Sequence, residues 1–142
     1  MFSLIITIVS IALVVALVAA TMYHGGDTLT QGRTTADAAA FVSGAQQIGG
    51  AQVMHLSLLS SEAENVAALV TADFLASAPV VKGSAWTIDT AANTVNSVVE
   101  TDDVCEQINK TAGYADPATV AAIAADKPYG CITATKAFSF KY

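Results

Sequence analysis

The first 22 residues, Met1 to Met22, contain no charged residue, no proline and no glycine. As a single helix rising about 1.5 Å per residue they would span roughly 33 Å, close to the hydrocarbon thickness of a bilayer. A chain of 142 residues builds only a modest core and does not need so long an apolar rod for it. The sequence therefore predicts a helix buried in lipid, in other copies of the chain, or in each in turn.

The same stretch differs from a cleaved signal peptide. No Lys or Arg precedes Arg33, so the basic segment that opens a signal peptide is missing, and the apolar run is longer than usual. We therefore expect a retained helix.

Charge is scarce and mostly negative. Charged residues make up 13% of the chain, the net charge is -6, and all twelve acids lie at or after Asp27. Because the six basic residues are scattered, nucleic-acid binding by the single subunit is disfavoured. A surface so poor in charge favours packing against neighbouring molecules.

No pattern typical of catalysis stands out. The sequence contains no phosphate-binding loop, no evident Ser-His-Asp set and no clustered metal ligands. We interpret His24 as a polar residue at the apolar boundary and His55 as a helix-face residue. The prediction is that the protein is not an enzyme and has no cofactor and no metal site.

Gly25 and Gly26 end the apolar run, and each costs a helix roughly 1 kcal/mol relative to Ala. They predict a helix break, after which Thr34 or Thr35 starts an amphipathic helix. The predicted segments are an apolar membrane or filament-core helix, a glycine-containing break, an amphipathic helix and a globular domain, at residues 1–24, 25–33, 34–60 and 61–142. The apolar stripe of the amphipathic helix comprises Ala38, Phe41, Val42, Ala45, Ile48, Gly49, Val53, Leu56 and Leu59.

The remaining sequence alternates short helical and extended patterns. Ser61 and Glu64 form a capping box by residue type, which predicts a helix over 62–76. Residues 85–89 and 94–100 read as a β-hairpin in which Trp86 is a core residue. Further predicted elements are a helix over 103–109 capped by Asp102, a helical segment over 116–124, a turn at 128–130 and one long final strand over 131–142. The predicted fold class is α+β, with a long N-terminal hydrophobic helix followed by a small antiparallel sheet.

Two cysteines, Cys105 and Cys131, lie in the polar part of the chain. In an exported protein an even pair predicts one disulfide, whereas a metal site would need further ligands. The bond would close a loop of about 26 residues and contribute roughly 3 kcal/mol in the chain-entropy model. Asn109-Lys110-Thr111 also fits a glycosylation sequon, a triplet that is frequent by chance.

These features resemble the type IV pilins and pseudopilins, most closely the type IVb kind. The resemblance is carried by the opening MFSLII, by AAAFVSGAQQIGGAQ from Ala38, and by VCEQINKTAG from Val104 with the closing Cys131. It implies a Met1 that is N-methylated after removal of a leader. Where most pilins carry a glutamate at the fifth position this chain has Ile5, so carbonyls or the hydroxyls of Ser3 and Thr7 would have to meet the terminal amine. The implied filament-core packing residues are Phe2, Leu4, Ile5, Ile6, Ile8, Ile11, Leu13, Val14 and Leu17.

The resemblance also implies a function. The chain would be a structural subunit of a pilus-like extracellular filament, held in the inner membrane as a monomer and then polymerised with copies of itself. A separate assembly ATPase and platform proteins would drive the process. Two alternatives stay open: a membrane-anchored periplasmic or extracellular binding domain, and a pseudopilin of a secretion system.

Overall fold

A computed structural model describes residues 2–142, apart from the side chains of residues 24–27. It contains a very long helix, two shorter α-helices, a 3₁₀ turn and one four-stranded sheet. The α-helices are α1 (Phe2–Leu59), α2 (Val66–Thr71) and α3 (Asp102–Thr111), and the 3₁₀ turn is Pro117–Thr119. The strands are β1 (Trp86–Asp89), β2 (Thr94–Val98), β3 (Tyr129–Ile132) and β4 (Ala137–Lys141), ordered β1-β2-β4-β3 with every neighbouring pair antiparallel. The predicted α+β fold is confirmed.

The chain divides into two compact units, Met1–Arg33 and Thr34–Tyr142. The described part of the first unit is helical throughout. The second unit, called the head below, contains the rest of α1 and all other elements. Each unit has its own kind of surface, so each is considered by itself.

The predicted helix break at Gly25 and Gly26 is wrong, because the backbone is helical across both residues. Two glycines cost roughly 2 kcal/mol relative to alanine. A break would instead create two new helix ends, each with unsatisfied backbone groups, and would require a second costly nucleation. Continuing the backbone hydrogen bonds avoids both.

The part of α1 in the head packs one face on the sheet. Phe41 is 1% exposed, and its ring centroid lies 6.0 Å from that of Trp86 and 6.0 Å from that of Phe138. The predicted stripe residues Ala38, Ala45 and Ile48 are buried beside them. The hydrophobic face of α1 and the inner face of the sheet therefore make one core.

Gly44 and Gly49 allow this close packing. A Cβ at Gly44 would come within 2.9 Å of the Trp86 ring, and one at Gly49 within 3.2 Å of the Phe140 ring. Trp86 packs against the core as predicted, and its Nε1 donates to the Pro79 carbonyl oxygen at 2.8 Å.

Several predicted element boundaries are wrong. Helix α2 is capped by Asn65, whose side chain accepts from the Ala68 N–H, and not by Ser61. Thr101 occupies the N-cap position of α3, so Asp102 is its first residue. The helical segment predicted over 116–124 is only the 3₁₀ turn.

The predicted long final strand is two strands. β3 and β4 pair antiparallel across a turn over 133–136, in which Lys136 adopts a positive φ of 54°. A single strand of that length would leave more of its backbone groups unpaired, whereas the hairpin pairs them with each other.

Candidate functional site

The apolar segment, residues 2–22, is exposed, and no other helix or strand is present among the described residues of the first unit. Helix α1 is long and apolar enough to cross a membrane, with a mean hydropathy of 2.9 over its most apolar window and none of that window buried. The nine predicted filament-core residues are between 58% and 85% exposed, and they are Phe2, Leu4, Ile5, Ile6, Ile8, Ile11, Leu13, Val14 and Leu17. A helix that is apolar on all sides requires burial in lipid or in a protein bundle.

Three hydroxyl groups in the apolar segment bond to carbonyl oxygens of the same helix. Thr7 Oγ1 donates to the Ser3 carbonyl oxygen at 2.8 Å, Ser10 Oγ to that of Ile6 at 2.7 Å, and Thr21 Oγ1 to that of Val18 at 2.9 Å. Side chains bonded in this way do not need water. These three side chains are therefore compatible with an anhydrous environment.

One predicted site and one interpreted residue lie outside the description of this helix. Met1, the predicted methylated terminus, lies outside the described residues. The surroundings of the side chains at 24–27, including His24, are likewise outside the description.

Within the head, α1 carries an uncharged face turned away from the sheet. We call this the outer face; it is exposed, its residues are spaced alternately four and three apart, and they are Ala36, Ala40, Ser43, Gln47, Gly50, Met54 and Ser57. This spacing places them on one side of a helix. Five of the seven are Ala, Ser or Gly, so the face is open to close approach.

One ion pair neutralises the only carboxylate in the part of α1 that belongs to the head. Asp37 is the only Asp, Glu, Lys or Arg between Thr34 and Leu59, and its carboxylate lies 2.6 Å from Lys82 Nζ. Lys82 and the following Gly83 have φ values of 46° and 73°, which reverse the chain beside α1. The Asp37 charge is thus paired by a loop of the head.

The predicted disulfide between Cys105 and Cys131 is present, with a Cα–Cα distance of 5.3 Å. It joins the buried face of α3 to β3. Asn109, one turn after Cys105, is fully buried and hydrogen-bonded to the backbone of Cys131 and Pro117. The folded head therefore hides the nitrogen that glycosylation of the sequon would need.

Two further buried polar side chains, Gln52 and His55, lie near the end of α1. Gln52 Nε2 donates to the Ala63 carbonyl oxygen at 3.1 Å, and His55 Nδ1 donates to that of Ser61 at 2.7 Å. The His55 ring also packs edge-on against Phe74. His55 therefore fastens the chain that follows α1, and among the described residues no three His, Cys, Asp or Glu side chains are grouped to hold a metal ion.

Tyr142 lies beside this group. Burial raises the pKa of its phenol, and the charges of Glu62 and Asp89 raise it further, while the Gln52 side chain acts in the opposite direction. Within the described part of the chain, Tyr142 OH and Gln52 Oε1 are buried without a partner at hydrogen-bonding geometry. The phenol therefore favours its neutral form in the folded head.

Sequence reasoning missed the roles of Asn109 and Gln52. The sequence marks Asn109 only as part of a sequon, and nothing in it marks Gln52. The partners of both buried amides are backbone groups that lie far away along the chain. No family model, no curated protein and no solved structure matches this chain. The interpretation of the apolar segment and the outer face therefore rests on their own chemistry.

Proposed function

We propose that this chain is a structural subunit of a type IV pilus-like filament on the cell surface. The monomer is anchored in the inner membrane by the apolar segment, which then becomes part of a bundle of identical helices in the filament core. A separate ATPase and platform proteins supply the energy and the scaffold for assembly.

The observation that carries this proposal is exposure of the apolar segment on all sides. Its large side chains, from Phe2 to Val18, are each about half or more exposed. Leaving them in water would forgo roughly 1.5–3 kcal/mol per large side chain. Lipid satisfies this requirement for the monomer, and copies of the same helix satisfy it in a filament.

The outer face favours a filament over a solitary membrane anchor. A helix that is solvated on one side normally carries charged residues there. The outer face carries none, and the Asp37 carboxylate is paired with Lys82. Such a face is suited to close contact with neighbouring protein, and a head-to-tail contact that does not close produces an open helical polymer.

Transfer from lipid to a helix bundle exchanges one apolar environment for another. Hydrophobic burial is therefore nearly unchanged, and packing between helices decides the balance. Small residues such as Ala12, Ala16 and Ala20 permit close approach of neighbouring helices. Reversible exchange between membrane and filament follows naturally from this near balance.

Electron microscopy of sheared cell surfaces tests the proposal. Cells that express the chain are sheared, and the released material is negatively stained and labelled with an antibody against the head. Uniform thin filaments that carry the label are expected. A chain recovered only from detergent-solubilised membranes would contradict the proposal and favour an anchored binding domain. Labelled material confined to short structures that are not sheared off would favour a pseudopilin.

A matched pair of substitutions tests the outer face. Ala40→Trp places a large ring on that face, and Ala91→Trp places the same ring in the exposed turn between β1 and β2. Cells with Ala40→Trp should keep the folded, disulfide-bonded chain in the membrane but lose filaments, whereas Ala91→Trp should retain them. Equal filament yields from both variants would exclude the outer face as an assembly contact.

A further inference from the structure

The Asn109 side chain forms a two-point contact with the backbone of one cysteine. Its Nδ2 donates to the Cys131 carbonyl oxygen at 2.8 Å, and its Oδ1 accepts the Cys131 N–H at 2.7 Å. Nδ2 also donates to the Pro117 carbonyl oxygen at 3.0 Å. Asn109 and Cys131 are both 0% exposed, so the two bonds between them are shielded from water.

This contact replaces a missing strand. β3 is at one edge of the sheet, because the strand order is β1-β2-β4-β3. In an antiparallel ladder a partner residue would exchange one N–H···O bond in each direction with Cys131. The Asn109 amide makes the same two bonds from helix α3, and it leaves neither backbone group of Cys131 buried and unpaired.

Cys131 is therefore held to α3 in two ways. The disulfide connects it to Cys105, and the amide connects it to Asn109, one helical turn further along the same buried face. The hydrogen bonds use backbone atoms of Cys131 and a side chain that takes no part in the disulfide. Opening the disulfide therefore removes the covalent connection without removing any donor or acceptor of the hydrogen bonds.

We propose that Asn109 is a non-covalent clamp that keeps the loop between Cys105 and Cys131 closed when the disulfide is open. The head then folds with both cysteines in the thiol form, and the two sulfur atoms stay close enough to bond. The disulfide reinforces a loop that the amide has already closed. Loss of the amide makes the loop depend on the disulfide alone.

Hydrogen exchange on the full chain in detergent micelles tests the clamp. The readout is the exchange rate of the backbone amides in β3, including the Cys131 N–H, measured by mass spectrometry with and without a phosphine reductant. The variants are Asn109→Ala, Thr111→Ala and the double substitution Cys105→Ala with Cys131→Ala. Thr111 is the matched control, since it is exposed on the same helix and its hydroxyl donates to the Gln107 carbonyl oxygen within that helix. Its substitution also removes the sequon.

Reduction should leave the β3 amides of the wild type and of Thr111→Ala protected to within about threefold. Asn109→Ala should exchange roughly tenfold or more faster while oxidised, since a buried N–H loses its acceptor, and should lose nearly all protection when reduced. The cysteine-free variant should fold and protect β3.

Two results would overturn the clamp. One is a wild type that loses β3 protection on reduction as completely as reduced Asn109→Ala. The other is a cysteine-free variant that fails to fold while Asn109 is intact. The second result decides the question even where Asn109→Ala itself does not fold.

Discussion

Large apolar side chains are exposed in residues 2–33 and buried in the core of the head. In the apolar segment Ile8, Leu13 and Leu17 are all more than half exposed, whereas in the head Phe41 and Ile48 are at most 1% exposed. One helix, α1, supplies both sets. The head contains a sheet that covers the apolar face of α1, whereas the described residues of the first unit form no such layer. The comparison teaches that burial is decided by what the rest of the chain places beside a helix.

The largest expected effect comes from a charge in the apolar segment. Leu13→Arg places a guanidinium near its centre, at a cost of about 2.5–3.5 kcal/mol for insertion, and a close-packed bundle has less room for that charge than a bilayer edge has. The expected result is loss of sheared filaments and a smaller carbonate-resistant membrane fraction.

The matched control for this charge is Val80→Arg. Val80 is 84% exposed in the head, where water can solvate a charge, so this variant should insert and assemble as the wild type does. If both variants behaved alike, the distinction between the two regions would fail.

The second largest effect is expected when a large apolar side chain is truncated in the head and not in the apolar segment. Phe41→Ala should destabilise the head by about 3–5 kcal/mol, because it opens a cavity between Trp86 and Phe138. Leu13→Ala should change head stability by less than about 0.5 kcal/mol, since it lies outside that core. Thermal unfolding in detergent, followed by the fluorescence of the sole tryptophan, Trp86, measures both. A comparable loss in both variants would show that the apolar segment contributes to the stability of the head.

Local patterns in the sequence were sufficient for several elements. The periodic apolar residues Ala38, Phe41 and Ile48 predicted the buried face of α1, and the hairpin pattern placed β1 and β2 within two residues of their bounds. The number and setting of the cysteines predicted the disulfide. In each case the information lies in residues close along the chain or in residue types with few alternatives.

Features that depend on distant partners were missed. The turn at Lys136 follows from pairing of β3 with β4, and the β-branched residues around it resemble a continuous strand. Ser61 matches a capping box, yet its carbonyl oxygen accepts from His55 and Asn65 caps the helix instead. Gly25 and Gly26 do not break the helix, because helix propensity is a weak preference that a long cooperative helix overrides.

Two glycines of α1 should respond in opposite directions to the same substitution. Gly44→Ala should destabilise the head by about 1–3 kcal/mol, because the new Cβ would lie 2.9 Å from a Trp86 ring that is fixed by its bond to Pro79. Gly50→Ala should stabilise it by up to about 1 kcal/mol, since nothing lies within 4 Å and alanine favours a helix. The same unfolding assay measures both variants. If both substitutions changed the free energy of unfolding in the same direction, the sheet would not pack closely against α1 at Gly44.

The smallest expected effect is a loss of head stability in alkali. The pKa of Tyr142 is raised in the folded head above its ordinary value of 10.0, first by burial and then by the charge of Glu62. A raised pKa means that the fold favours the neutral phenol, so this contribution is complete below pH 10 and is lost as the pH rises through the folded-state pKa. Tyr142→Phe removes the titrating group, and no partner of the phenol oxygen is lost among the described residues. The free energy of unfolding of the wild type should therefore keep a constant difference from that of Tyr142→Phe up to about pH 10 and fall relative to it at higher pH. Parallel pH profiles for the two proteins would show that the phenol is as well solvated in the head as in the unfolded chain.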